Sequence, residues 1–141
     1  MEQSTEIAKG YINLAENSLG TMNRERKQNL VFSVSACYYS LYYSLYSIIA
    51  KIGIKSEIHA CTIEFMKRFL SSYYTPAECK FMADSLQARV DTQYYINRDV
   101  KDQFVKEMIS TTPKFLIKCK GIVANIKESE INEIRKQLQK S

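Results

Sequence analysis

The stretch NLVFSVSACYYSLYYSLYSIIAK, from Asn29 to Lys51, limits the fold more than any other. It holds no Gly and no Pro. Val31, Val34, Tyr38, Leu41, Leu45, Ile48 and Ile52 recur every three or four residues, the repeat of one face of an α-helix. Gly53 stops it. The predicted helix is longer than the average globular one.

Half of the chain's ten tyrosines lie between Ser35 and Tyr46. Tyr38, Tyr42 and Tyr46 share one helical stripe, and Tyr39 and Tyr43 an adjacent one. Ser33, Ser40, Ser44 and Ser47, with Ala36 and Cys37, form a strip of small residues that lets a neighbouring helix approach closely. One tyrosine face is expected in the core and the other at a partner protomer or cleft. A core or dimer helix is favoured over a base-stacking surface, because no Lys or Arg lies between Lys27 and Lys51 to hold phosphates.

The rest of the chain repeats the helical period. A first helix is predicted from Thr5 to Leu19, with Ile7, Tyr11, Leu14 and Ser18 inward and Gly20 at its end. A third runs from Glu57 to Tyr73, capped by Ser56, with Ile58, Cys61, Phe65, Met66 and Phe69 inward. Thr75, Pro76 and Glu78 open a fourth that reaches Gln93 through Phe81, Met82, Leu86 and Val90. A fifth starts near Asp99 and is expected to kink or break near Thr112, before Pro113. Ile131, Ile134 and Leu138 permit a marginal last helix. The fold class is all-α: an up-and-down bundle of four to five helices over residues 1–127, with a polar helix or tail over 128–141.

Several function classes are excluded or disfavoured. No run of about eighteen apolar residues exists, so no membrane partner is expected. The start MEQSTEIAKG has no apolar signal core, and a cytoplasmic protein is expected. Cys37, Cys61, Cys79 and Cys119 are widely spaced and expected to be buried thiols; neither a metal site nor a cofactor is expected. The four glycines are isolated, so there is no phosphate-cradling loop. The net charge of +5 lies largely in the C-terminal third, as on a solvated helix face, and is compatible with an RNA partner.

Four segments in order carry a resemblance: LAENSL, SVSACYYSLYYSLYSIIAKIGI, KSEIHACTIEFMKRFL and LQARVDTQYY. With the Ala36–Tyr39 pattern, His59–Ala60, and Arg89 followed after four residues by Tyr94, the chain from about Ile7 to Ile126 resembles the HEPN domain family (higher eukaryotes and prokaryotes nucleotide-binding). The resemblance implies a helical bundle, commonly a homodimer. It implies work beside a minimal nucleotidyltransferase in a toxin–antitoxin pair, with nucleotide or RNA as ligand. Active members are metal-independent RNases whose motif pairs Arg with His at a composite dimer site.

Here Arg89 fits the motif arginine, but Tyr94 stands in place of the histidine and Tyr95 follows. Tyrosine titrates near pH 10, so the acid–base role of an imidazole does not pass to it. The expected function is a binding module; the alternative is an RNase. Arg89, Asp91 and Tyr95 are the candidate binding residues. Arg89, Tyr94 and, as a substitute base, His59 are the candidate catalytic ones. The plainer expectations are that Arg89 pairs with Asp91 or Asp84, and that His59 hydrogen-bonds a loop carbonyl.

Overall fold

The computed structural model describes residues 2–25, 30–55, 59–94 and 102–140, less the side chains at 2–4, 30, 60, 93 and 94. These residues form six α-helices: α1 (Glu2–Glu25), α2 (Leu30–Ile52), α3 (His59–Phe69), α4 (Pro76–Tyr94), α5 (Asp102–Asn125) and α6 (Glu128–Lys140). The all-α class is as expected. Five of them lie within residues 1–127, and the sixth is the polar C-terminal segment, a helix rather than a tail.

α2 is the hub and contacts all five other helices. Tyr38, Leu41, Leu45, Ile48, Ile49 and Ile52 are almost fully buried in one continuous core. A helix apolar on most sides must be covered on most sides.

Its closest partner is α1, and small residues make that pairing. On α2, Ser33, Ser40 and Ser47 fall every seven residues and are fully buried. On α1, Ala8, Ala15 and Met22 repeat at the same interval and are buried too. Ser40 donates to the Ala15 carbonyl at 2.8 Å, Ser33 to the Met22 carbonyl at 3.5 Å, and Lys51 to Thr5 Oγ1 at 2.6 Å. These contacts fix an antiparallel register. Ser44 and Ser47 turn their hydroxyls back onto the carbonyls of Ser40 and Ser44, so their burial leaves no orphan donor.

This seam corrects the expectation for α1. The buried stripe is Ala8, Ile12, Ala15 and Met22, of which the first three lie one residue on from Ile7, Tyr11 and Leu14. Ile7 is 49% and Leu14 44% exposed. Apolar bulk pointed to the wrong stripe because the partner surface is lined with serines, against which Ala8 and Ala15 fit closely, while Ile12 packs with Leu116 of α5. The helix also continues past Gly20 to Glu25.

Three further expectations change. α3 ends at Phe69 rather than Tyr73, and Cys61 is exposed while Cys37, Cys79 and Cys119 are buried; the expected cap Ser56, with Glu57 and Ile58, lies outside the described residues. α5 runs unbroken through Pro113. Proline there removes one N–H, but α5 is pinned next to it. Buried Thr112 donates to the Met108 carbonyl at 2.6 Å, leaving its oxygen to accept from the Cys37 thiol at 2.9 Å. Burial, only partly offset by Thr112, pushes the Cys37 thiol up to about 12, so it stays protonated. The expected opening of α4 is present: the Glu78 carboxylate accepts from the Thr75 N–H at 3.0 Å, and Thr75 Oγ1 from the Glu78 N–H at 3.2 Å.

α2 closes on Gly53, whose φ is +91°. The Gly53 and Ile54 N–H groups return to the Ala50 and Ile49 carbonyls. Arg135 of α6 donates through Nε to the Ile52 carbonyl at 2.6 Å, and buried Ile131 and Ile134 seat the rest of that helix. A Cβ at position 53 would lie 2.3 Å from the Arg135 guanidinium. Gly53→Ala is therefore expected to lower stability by about 1–2 kcal/mol from the left-handed backbone alone. Ser40→Leu is expected to cost about 1–3 kcal/mol by forcing α1 away. Urea unfolding of each variant checks both.

Candidate functional site

Three helices bring an arginine, a histidine and a group of tyrosines together. Arg89 projects from α4, His59 opens α3, and Tyr38, Tyr39 and Tyr42 come from two adjacent stripes of α2. The Arg89 guanidinium carbon lies 4.8 Å from the ring centre of Tyr39 and 5.7 Å from that of Tyr38. Its Nη2 donates to the Tyr39 hydroxyl at 2.8 Å. The His59 ring stacks on Tyr42 with centroids 4.0 Å apart and planes 14° apart. The Tyr38 hydroxyl and His59 Nδ1 are hydrogen-bonded at 2.7 Å.

The electrostatics follow from this packing. Burial, and next the nearby Arg89 charge, hold the His59 imidazole below its ordinary range, so it is neutral at pH 7. Burial is also the main cause that raises Tyr38, which therefore stays a phenol. Where Tyr38 donates to Nδ1, the imidazole proton sits on Nε2. Arg89 is thus the one charge of the cluster. Among the described residues no carboxylate pairs with it. Its Nε is buried and has no hydrogen-bond partner among the described residues. A buried, unsatisfied donor costs about 1–3 kcal/mol, and more when charged.

The expected carboxylate partners of Arg89 are engaged elsewhere. Asp84 pairs with Lys80 at 2.6 Å, and Asp91 accepts from the Gln87 amide at 2.8 Å. Asp91 is two residues from Arg89, about 200° around the helix, so the fold does not bring the two together. His59 bonds the Tyr38 hydroxyl, and the loop residues just before it, 56–58, whose carbonyls were its expected partners, lie outside the described residues. Tyr94 is the last residue of α4, and its side chain, like all of Tyr95, lies outside the described residues. No group of three His, Cys, Asp or Glu side chains among the described residues is placed to hold a metal ion. No described helix is long and apolar enough to cross a membrane.

Tyr38, Tyr39 and Tyr42 join the site although the motif around Arg89 does not include them. The signal was present in SACYYSLYYSLY, but the cation that meets these rings comes from fifty residues further along. The two tyrosine stripes divide as anticipated. Tyr38, Tyr42 and Tyr46 are buried, while Tyr39 and Tyr43 are half-buried and line an open groove against Leu14, Asn17, Ser18 and Thr21 of α1. Tyr39 thus faces both the groove and Arg89.

No protein-family model matches this chain, and no curated protein is significantly similar to it.

The depressed imidazole makes stability depend on pH in a definite direction. The unfolded chain takes up a proton near pH 6.5, whereas folded His59 does so only at lower pH. Between those values the unfolded state binds more protons, so stability falls as pH drops below about 6.5. His59→Gln, which retains an acceptor for Tyr38, is expected to flatten this part of the profile. Urea midpoints at several pH values between 7 and about 5 check it.

Proposed function

We propose that the chain is a HEPN-like helical module that binds nucleotide or RNA phosphate through Arg89. As the family resemblance implies, it would act as a homodimer beside a minimal nucleotidyltransferase, in a toxin–antitoxin arrangement. One observation carries the phosphate part: a tyrosine-backed guanidinium with an unpartnered Nε and no carboxylate partner among the described residues. Arginine's planar fork suits a phosphate, and stacking on Tyr39 leaves it ordered before a ligand arrives. Among the described residues no carboxylate competes for the guanidinium.

A second reading has a specific observation in its favour. His59, the one histidine of the chain, is neutral and packs on the same tyrosines as Arg89. In a metal-independent RNase, Arg89 would hold the scissile phosphate, with Tyr94 orienting it. With Nδ1–H donating to the Tyr38 hydroxyl, neutral His59 would take the proton of the ribose 2′-hydroxyl at Nε2 as that oxygen attacks phosphorus and the 5′-oxygen leaves. Binding is preferred because Tyr94 replaces the motif histidine and no second imidazole is present to return the proton.

The test is RNA binding and cleavage by purified protein without added metal, on total RNA and tRNA. Binding without cleavage is expected, with affinity falling about tenfold or more in Arg89→Lys, which keeps the charge and loses the fork. Cleavage that disappears in both Arg89→Lys and His59→Gln would replace the binding module with the RNase. Folded protein with no RNA affinity would overturn both.

A further inference from the structure

We propose that the groove between α1 and α2 seats the base of a nucleoside phosphate whose phosphate is held by Arg89; this rests on the phosphate-binding reading above. Tyr39 ties the two parts together. Its hydroxyl accepts from Arg89, and its ring lines the groove. Tyr43 stacks beside it with centroids 5.7 Å apart, and Tyr11 of α1 stacks on Tyr43 at 6.0 Å. Tyr39 and Tyr43 line the groove, Tyr11 backs Tyr43 beyond it, and all three rings are only half-buried.

The opposite wall has the chemistry of a base seat. Leu14, exposed because the α1 seam uses alanines, gives an apolar surface for a ring face or edge. The Asn17 side chain offers a donor and an acceptor and Ser18 a hydroxyl, the groups that meet base edges, while the Thr21 hydroxyl is held between the Asn17 carbonyl and Arg24. Aromatic stacking beside a cation is the usual means of holding single-stranded nucleotides.

The charges complete the fit. Arg24 donates to Thr21 Oγ1 on the α1 wall, and Arg89 to Tyr39 on the α2 wall. Each guanidinium therefore adjoins a different lining residue. A mononucleotide needs Arg89 alone, whereas a strand would also place a neighbouring phosphate at Arg24. The absence of Lys and Arg from the tyrosine stretch itself is no obstacle, because both cations come from other helices.

The test is calorimetric titration of the full chain with AMP, inorganic pyrophosphate and a short single-stranded oligoadenylate. Tyr43→Ala is expected to weaken AMP by about tenfold and to leave pyrophosphate unchanged, while Tyr43→Phe retains both. Ser18→Tyr, which fills the groove, should act like Tyr43→Ala and guards against a folding effect at position 43. Arg24→Gln should weaken the oligoadenylate and spare AMP. If AMP affinity survives Tyr43→Ala and Ser18→Tyr while pyrophosphate binding still depends on Arg89, the groove proposal is overturned and the phosphate reading stands. If folded protein binds none of the three probes, both are overturned.

Discussion

Close approach of α1 to α2 is the constraint on which the rest of the structure depends. Alanine faces serine along the seam, and Ser40 and Ser33 hydrogen-bond the backbone carbonyls of α1. With one flank of α2 closed by small residues, its large apolar side chains turn to α3, α4 and α5 and build the core. The same choice sends Leu14 and Ile7 of α1 outward and leaves Tyr39 and Tyr43 along a groove instead of beneath a helix. Packing in the seam and exposure in the groove are thus two results of one register.

Much of this was legible in the sequence. The unbroken period of α2 gave its extent to within a residue, and Thr75, Pro76 and Glu78 gave the start of α4. The strip of serines foretold a close helix neighbour. The buried face of α1 was not legible from α1 alone, because Ala8 and Ala15 carry little apolar signal and their burial is decided by the serines opposite. Pro113 misled for a related reason: the local rule calls for a break, while Thr112 and Cys37 hold the helix from the side. The last helix looked marginal because only Ile131, Ile134 and Leu138 are apolar, yet Arg135 binds the end of α2 and the Tyr73 hydroxyl donates to Glu130.

The site was half legible. Arg89 and His59 could be named from the resemblance, but their common setting could not, since the rings between them belong to a helix read as packing. Asp91 shows the opposite limit. Nearness in sequence suggested a role beside Arg89, and the helical turn sends it elsewhere. What joins Arg89, Tyr39 and His59 is tertiary contact, which no spacing within the chain encodes.

The central claim is that Arg89 awaits a phosphate. The most direct measurement is the nitrogen-15 correlated NMR signal of the Arg89 side-chain Nε–H, assigned by comparison with Arg89→Lys, during titration with AMP. A saturable shift of that signal, with the Tyr39 and Tyr43 ring protons moving in step, is the result the account predicts. An Arg89 signal that stays fixed, in folded protein, up to millimolar AMP would contradict it.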